Sequence, residues 1–398
     1  MPIKRAYQTL SHFFATEIAG GICLFIAALL AMLMANSELR SAYAHFLHVP
    51  IGVVLGEQTF SLSLTHFIND GLMALFFLLV GLEIKRELVE GELSSRAQAM
   101  LPAVAAAGGM AGPALIYAFF NWDDSIAMRG WAIPTATDIA FSLGVLSLLG
   151  KRVPLALKVF LLAVAVIDDL GAIAIIAVFY TSDLSTVPLL LSLLIIVGLG
   201  TLNRYEVCSR TPYLLLGGIL WVCVLQSGVH ATLAGVAVAF TVPLRMTGNK
   251  KSPLPKLEHD LHTMVTFLIL PLFAFANAGV NFSGLSPSVL LNPLPLGITM
   301  GLLAGKAIGI TGTVWLMVKS GAATLPRDCS WLAMMGLSLL CGIGFTVSLF
   351  IGNLAFAEGN LDMVNFVKLG VIFGSSIAGV LGYLMLRFIA LPSLSLDK

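Results

Sequence analysis

Charge is scarce in this chain. Only 11% of its 398 residues are Asp, Glu, Lys or Arg, where an ordinary soluble domain carries about 25%. That shortage excludes a soluble globule. The formal net charge of +1 says nothing by itself about nucleic acid, but the basic residues form no stripe, so no nucleic-acid partner is expected. Cysteine is also thin. Cys23, Cys208, Cys223, Cys329 and Cys341 are scattered, and no pair has metal-site spacing. Structural thiols are expected, with no resident cofactor.

What is present instead is apolar sequence: 58% of the residues are hydrophobic. A helix crossing the hydrocarbon of a bilayer needs about 20 mostly apolar residues. Runs of that length recur along the chain, separated by short polar breaks. They predict twelve spans, at 14–35, 65–83, 99–120, 126–149, 155–181, 187–203, 211–226, 229–243, 258–280, 294–318, 331–354 and 363–388. The expectation is an all-α polytopic membrane protein, 1–398 forming a single integral domain. Lys4 and Arg5 before the first run mimic a signal peptide, but Phe14 to Met34 is too long for the usual cleaved segment. Retention as the first span is expected.

Orientation follows from the lysines and arginines. Three of the 22, Lys158, Lys306 and Lys368, fall within spans. Arg40 and Arg129 lie in loops on one side, and all the others lie on the opposite side. Positive loops stay inside, so both termini are expected in the cytoplasm. Residues 49–64, VPIGVVLGEQTFSLSL, alternate at Phe60, Leu62 and Leu64 after a Gly56-Glu57 break. This pattern fits a small β-hairpin outside the membrane, whose exposed edge suits a dimer contact. An irregular loop on the membrane surface is the other reading.

The informative residues are the ionisable groups inside spans. Asp168 and Asp169 are adjacent in AVAVIDDLGAIAII, residues 163–176. Each costs roughly 2.5–3.5 kcal/mol at a membrane helix centre, so the pair needs a partner or a cavity. Consecutive helix positions diverge by about 100°; both acids can flank one cavity but cannot point the same way. A third acid, Asp138, follows Pro134, Thr135 and Thr137 in WAIPTATDIAFSLG. Proline disfavours regular helix before it, and broken helices at membrane depth line cavities or are buried in protein. The freed carbonyls and hydroxyls suit a hard cation such as Na+. A simple proline kink is the alternative.

LSLLCGIGFTVSLF echoes this break with Gly342 and Gly344 around Ile343. It lies in the second of spans 10–12, as Pro134 lies in the second of spans 3–5. Paired interruptions in corresponding positions point to a transporter binding site. Lys306 sits too deep in its span to reach the surface, and the Asp168/Asp169 pair is its natural partner. Nearer the rim, Asp70 and Glu83 bracket span 2, and Glu258, His259 and His262 open span 9. Histidine titrates near neutrality, so this rim could sense pH; solvated interfacial charge is the plainer reading. His230 in SGVHATLAG reads as a packing histidine.

GWAIPTATDIAFSLGVLSLLG, VIDDLGAIAI, SGVHATLAG, LPLFAFANAGV and CGIGFTVSLF together resemble the NhaA-type sodium/proton antiporters of bacteria, from about residue 12 to residue 388. NhaA-type proteins are themselves a reference case of inverted-repeat transporters, so the fold expectation comes with the family. The resemblance implies twelve transmembrane helices in the bacterial inner membrane, with inverted-topology repeats at spans 3–5 and 10–12 and with helices 4 and 11 broken and crossing. It implies that Asp169 is the principal Na+ ligand, Asp168 the partner of Lys306 beside it, and Thr137 an added ligand. Asp138 then compensates positive helix ends and Lys306 negative ones. Glu83, Glu258, His259 and His262 resemble the pH-response region, and the hairpin the homodimer contact. Pro255-Lys256 stands before Leu257-Glu258 where the family pattern has two basic residues, in the region tied to the pH set-point.

The expected activity is exchange of cytoplasmic Na+ or Li+ for external H+, two protons per sodium, active at alkaline pH. The acids would hold protons or a cation, not both. Three rivals differ in what they require. An intramembrane aspartyl protease would use Asp138 and Asp168 but lacks Gly-x-Gly before either acid. A passive cation channel is opposed by Lys306. A sodium symporter would need an organic substrate.

Overall fold

The computed structural model describes residues 2–55, 58–181, 184–247, 250–283, 287–356 and 361–390. The Gly56-Glu57 break and Lys398 lie outside them. Along the chain come α1 (Pro2–Ala35), α2 (Arg40–Leu47), β1 (Pro50–Leu55), β2 (Gln58–Ser63) and α3 (Leu64–Val89). Next are α4 (Arg96–Asn121), a tight 3-10 segment at Ala127–Thr135, α5 (Ile139–Ser147) and α6 (Leu155–Phe179). Then follow α7 (Thr186–Arg204), α8 (Thr211–Leu225), α9 (Leu233–Thr241) and α10 (Leu254–Asn277). The last four are α11 (Pro293–Lys319), α12 (Trp331–Leu340), α13 (Phe345–Phe356) and α14 (Leu361–Met385).

Among the described residues, eight helices are long and apolar enough to cross a membrane, or nine if the bent pair α12–α13 counts as one span. Three expected spans are not continuous helices, and one of them, 331–354, divides into α12 and α13. Residues 126–149 divide into the 3-10 segment, an extended stretch and α5. Residues 229–243 contain only α9, whose nine residues rise about 14 Å, short of the ~30 Å hydrocarbon thickness. Leu190, Leu194 and Val197 of α7 are exposed. An outward apolar face of that kind is stabilised by lipid rather than by water.

The chain divides into two compact units. The first holds Met1–Ile26, Ser95–Ala172 and Phe282–Lys398. Its largest packing face joins α4 to α11. Gly108 and Gly112 of α4 meet Gly305 and Gly309 of α11 backbone to backbone, the close approach that small residues permit between membrane helices. A Cβ on Gly305 would stand 2.5 Å from Pro113 Cα. α14 packs along α11, α12 and α13. Tyr117 Oη donates to Ala127 O at 2.6 Å and so holds the start of the 3-10 segment.

The second unit holds Ala27–Ser94 and Ile173–Asn281. Here α9 packs on α3 and α8, α8 on α7, and α10 on α3. β1 and β2 pair antiparallel, with Pro50 opposite Ser63 and Leu55 opposite Gln58. Tyr43 of α2 donates to Phe275 O at 2.6 Å, and Asn36 Nδ2 donates to Val280 O at 2.7 Å. The first bond takes up a carbonyl of the last turn of α10, which a helix terminus leaves unpaired, and the second holds the chain just beyond it. Burial pushes the Tyr43 phenol up to about 12.

Candidate ion site at two helix interruptions

Pro134 has no N–H to donate, and helical structure stops at Thr135. Ala136 and Asp138 are extended, and α5 starts at Ile139 with Asp138 as its cap, Oδ1 accepting the Phe141 N–H at 3.0 Å. In the other segment α12 stops at Leu340 and α13 resumes at Phe345, with a bend of 47°. The two breaks meet. Asp138 N–H donates to Ile343 O at 2.6 Å. Asp138 Oδ2 accepts the Thr346 N–H at 3.1 Å and the Thr346 hydroxyl at 2.5 Å. One buried carboxylate therefore serves the first turns of both α5 and α13, the positive ends of the helix dipoles.

The carbonyl ends are served by side chains of the opposite segment. Ser348 Oγ donates to Ile133 O at 2.7 Å, and Ser142 Oγ to Leu340 O at 2.9 Å. Thr137 Oγ1 lies 2.9 Å from Cys341 O and 2.8 Å from Asp168 Oδ2. A hydroxyl carries one hydrogen, so Thr137 serves one of these acceptors at a time.

α6 brings Asp168 and Asp169 to this region, 1% and 2% exposed. Lys306 arrives from α11, directly after a π-turn at Gly301–Gly305, a wide turn often found at functional sites. Its Nζ donates to Asp168 Oδ2 at 2.5 Å. Asp168 Oδ2 is thus shared by an ammonium and a hydroxyl. Asp168 Oδ1 is buried with no hydrogen-bond donor among the described residues. Among those residues, no group of three or more His, Cys, Asp and Glu is placed to hold a metal. The donors gathered here are carboxylate, hydroxyl and carbonyl oxygens, a set suited to hard cations.

The structure brings Asp138, Thr137, Asp168 and Lys306 into one hydrogen-bonded network, with Asp169 the next residue on the same helix. Ser142, Thr346, Ser348 and Ser375 belong to the network too, and sequence reasoning assigned them no part. Their one signal was a small polar residue in the middle of an apolar run.

The rim residues lie in the second unit. Glu83 falls inside α3, and so do Lys85, Arg86 and Glu87, which follow the expected span 65–83, because the helix runs on to Val89. Glu258, His259 and His262 sit in the first turns of α10, which begins at Leu254. Arg86 Nε stands 3.1 Å from Glu258 Oε1 but makes no aligned hydrogen bond, so the contact is electrostatic. His262 is one turn beyond Glu258, on the same face; His259 is exposed. Lys85 Nζ donates to Phe240 O and Val242 O at 2.7 and 2.5 Å, closing the end of α9. Asp70 lies in a π-turn of α3, Phe67–Leu72. His230 lies in the turn between α8 and α9. The Thr247 hydroxyl and amide hold the Glu206 carboxyl below the ordinary carboxylate range.

Apolar helices of this length, with a buried lysine–aspartate pair beside two hydrogen-bonded interruptions, fit a multi-pass membrane transporter. Residues 11–386 match the family described as Na+/H+ antiporter 1. Over 373 residues the chain is 53% identical to the Na(+)/H(+) antiporter NhaA 1 of Pseudomonas putida, covering 94% of each chain. It is 53% identical over 391 residues to the Na(+)/H(+) antiporter NhaA of Vibrio campbellii, covering 98% of each. It is 54% identical over 381 residues to that of Vibrio alginolyticus, covering 96% of this chain and 97% of the relative. The chain belongs to the Na+/H+ antiporter 1 family, the NhaA antiporters, which are secondary transporters and not enzymes.

Proposed function

We propose that the protein expels cytoplasmic Na+ or Li+ in exchange for external H+, moving two protons per sodium, and that it becomes active at alkaline pH. The observation that carries this reading is the shared Asp168 Oδ2. Lys306 donates to it and the Thr137 hydroxyl lies within reach of it, while Oδ1 keeps an open acceptor face. With Asp168, Asp169 and Asp138 ionised and Lys306 charged, the region holds two net negative charges. An alkali cation or two protons lowers that charge, and the two loads compete. Asp169 is the principal Na+ ligand in this reading, with Asp168 and Thr137 beside it. Asp138 stabilises the positive helix ends, and Lys306 stabilises the negative ends and holds Asp168 when no cation is bound.

The proposed frame is a single integral domain of twelve spans, 1–398, in the bacterial inner membrane with both termini cytoplasmic. The segment 126–149 is broken span 4 and 331–354 broken span 11, within inverted repeats at spans 3–5 and 10–12. Rocking of the repeats exposes the site to each side in turn. Two copies associate through the β1–β2 hairpin on the periplasmic side. Glu83, Glu258, His259 and His262 set the pH response; the Arg86–Glu258 contact supports a rim whose charge balance changes with pH.

Purified protein in liposomes tests the exchange. Lumen pH is followed by dye on Na+ addition, with and without a clamp on the potential. Na+ should alkalinise or acidify the lumen according to its gradient, and faster when the potential is clamped. Na+ flux independent of the proton gradient would refute antiport, and clamp-independent exchange would refute the 2:1 ratio.

A further inference from the structure

The broken end at α13 presents more N–H groups than Asp138 takes. Thr346 N–H goes to Asp138 Oδ2, but the amides of Gly344 and Phe345 both go to Ser375 Oγ, at 3.2 Å each. Ser375 lies on α14 and is 5% exposed. Left unpaired, two buried amides would destabilise the break. The same face of α14 touches the break again. A Cβ on Gly342 would stand 3.1 Å from Ala378 Cβ, and one on Gly379 would stand 3.3 Å from Ile343 Cδ1. Residues 375, 378 and 379 share one helix face, so the four-residue break rests along α14 and is pinned there by the one hydroxyl.

We propose that Ser375 is a positioning residue of the ion site. Residues 137–142 hold the carbonyl side of the break through Thr137, Ser142 and the Asp138 N–H. The amide side is held by the Asp138 carboxylate and by Ser375 Oγ. Ser375 keeps the first turn of α13 where the Thr346 hydroxyl reaches Asp138, and keeps Cys341 O where it competes with Asp168 for Thr137. A serine suits the task because its oxygen accepts from the amides without adding charge. A further carboxylate would alter the number of protons or cations the region takes. This inference rests on the reading of Asp168 and Asp169 as the ion site.

The test measures Na+-driven lumen-pH change by the full-length protein in liposomes, at one fixed pH, for Ser375→Ala, Ser375→Thr and Ser375→Cys, beside Asp169→Asn. Ser375→Ala should raise the half-saturating Na+ concentration about tenfold while the maximal rate stays near that of the parent. Ser375→Thr keeps the oxygen and should restore parental affinity. Ser375→Cys, of similar shape but a weak acceptor, should fall between. An unchanged half-saturating concentration in Ser375→Ala, or a drop in maximal rate alone, overturns the proposal. Should Ser375→Ala fail to insert, Ser375→Cys decides, and parental affinity there overturns it. If Asp169→Asn still exchanges Na+, the underlying ion-site reading fails. If Asp169→Asn is inactive and Ser375→Ala unaltered, only the role of Ser375 fails.

Discussion

Lys306 Nζ and Asp168 Oδ2 lie 2.5 Å apart, and both side chains are wholly buried. Each charge is tolerable there because of the other. A buried pair adds little net stability compared with apolar residues of the same shape, but removing one partner leaves an uncompensated charge. The pair is therefore well suited to a function that loads and unloads one of its members.

Replacing Lys306 tests that dependence. Lys306→Ala should destabilise the protein by roughly 3–5 kcal/mol and change the charge moved per cycle. Thermal denaturation in detergent and current per transported Na+ measure the two effects. Parental values for both would argue against the ion pair.

Asp138 accepts three hydrogen bonds from the starts of two helices. Asp138→Ala strips all three donors of their acceptor and should cost at least about 2 kcal/mol. Asp138→Asn retains one oxygen and should cost less. The order of their melting temperatures checks this.

The Gly305 contact is backbone against backbone. A methyl there would lie 2.5 Å from Pro113 Cα and 2.7 Å from Pro113 N, and α4 would have to shift. Gly305→Ala should destabilise by about 1–3 kcal/mol. Gly312, on the same helix, has nothing within 4 Å of an added Cβ. Gly312→Ala should be neutral or stabilise by under about 1 kcal/mol. Equal melting temperatures for the two variants would contradict the close packing.

Cys329 lies between α11 and α12, where burial pushes its thiol up to about 11. The thiolate is the reactive form. At pH 8 it is about 0.1% populated, against roughly a quarter for an ordinary thiol near 8.5. Alkylation of Cys329 at pH 8 should be roughly two hundredfold slower than that of an ordinary thiol, rise tenfold per pH unit, and lose this lag on unfolding. Mass-spectrometric labelling rates measure it.

Much of the architecture was legible in the sequence because lipid imposes a simple rule. Apolar runs of about 20 residues mark the long helices, and the structure contains them, with α1 reaching back to Pro2 rather than starting near Phe14 and with smaller shifts elsewhere. Pro134 marked one interruption and Gly342/Gly344 the other, since each removes a donor or a side chain from a helix. The extent of α9 was not legible. SGVHATLAG is apolar enough for a span, and only the turn at 226–232 shows that helix begins at Leu233. Helices α3 and α10 also run past their apolar stretches, to Val89 and back to Leu254, because charged helical turns drop out of a hydropathy profile.

By itself the sequence determined membrane residence, the order of the helices, and the shortlist of acids and the lysine that had to be buried, because a charge in an apolar run is expensive and conspicuous. Its periodicity did not choose between Asp168 and Asp169, which face directions about 100° apart. The packing that sets Lys306 against one oxygen of Asp168 makes that choice. Hydroxyl partners such as Ser142, Ser348 and Ser375 were also decided only in three dimensions. A serine in an apolar helix carries little cost and no charge, and its purpose is visible only once the chain brings an unpaired amide or carbonyl to it.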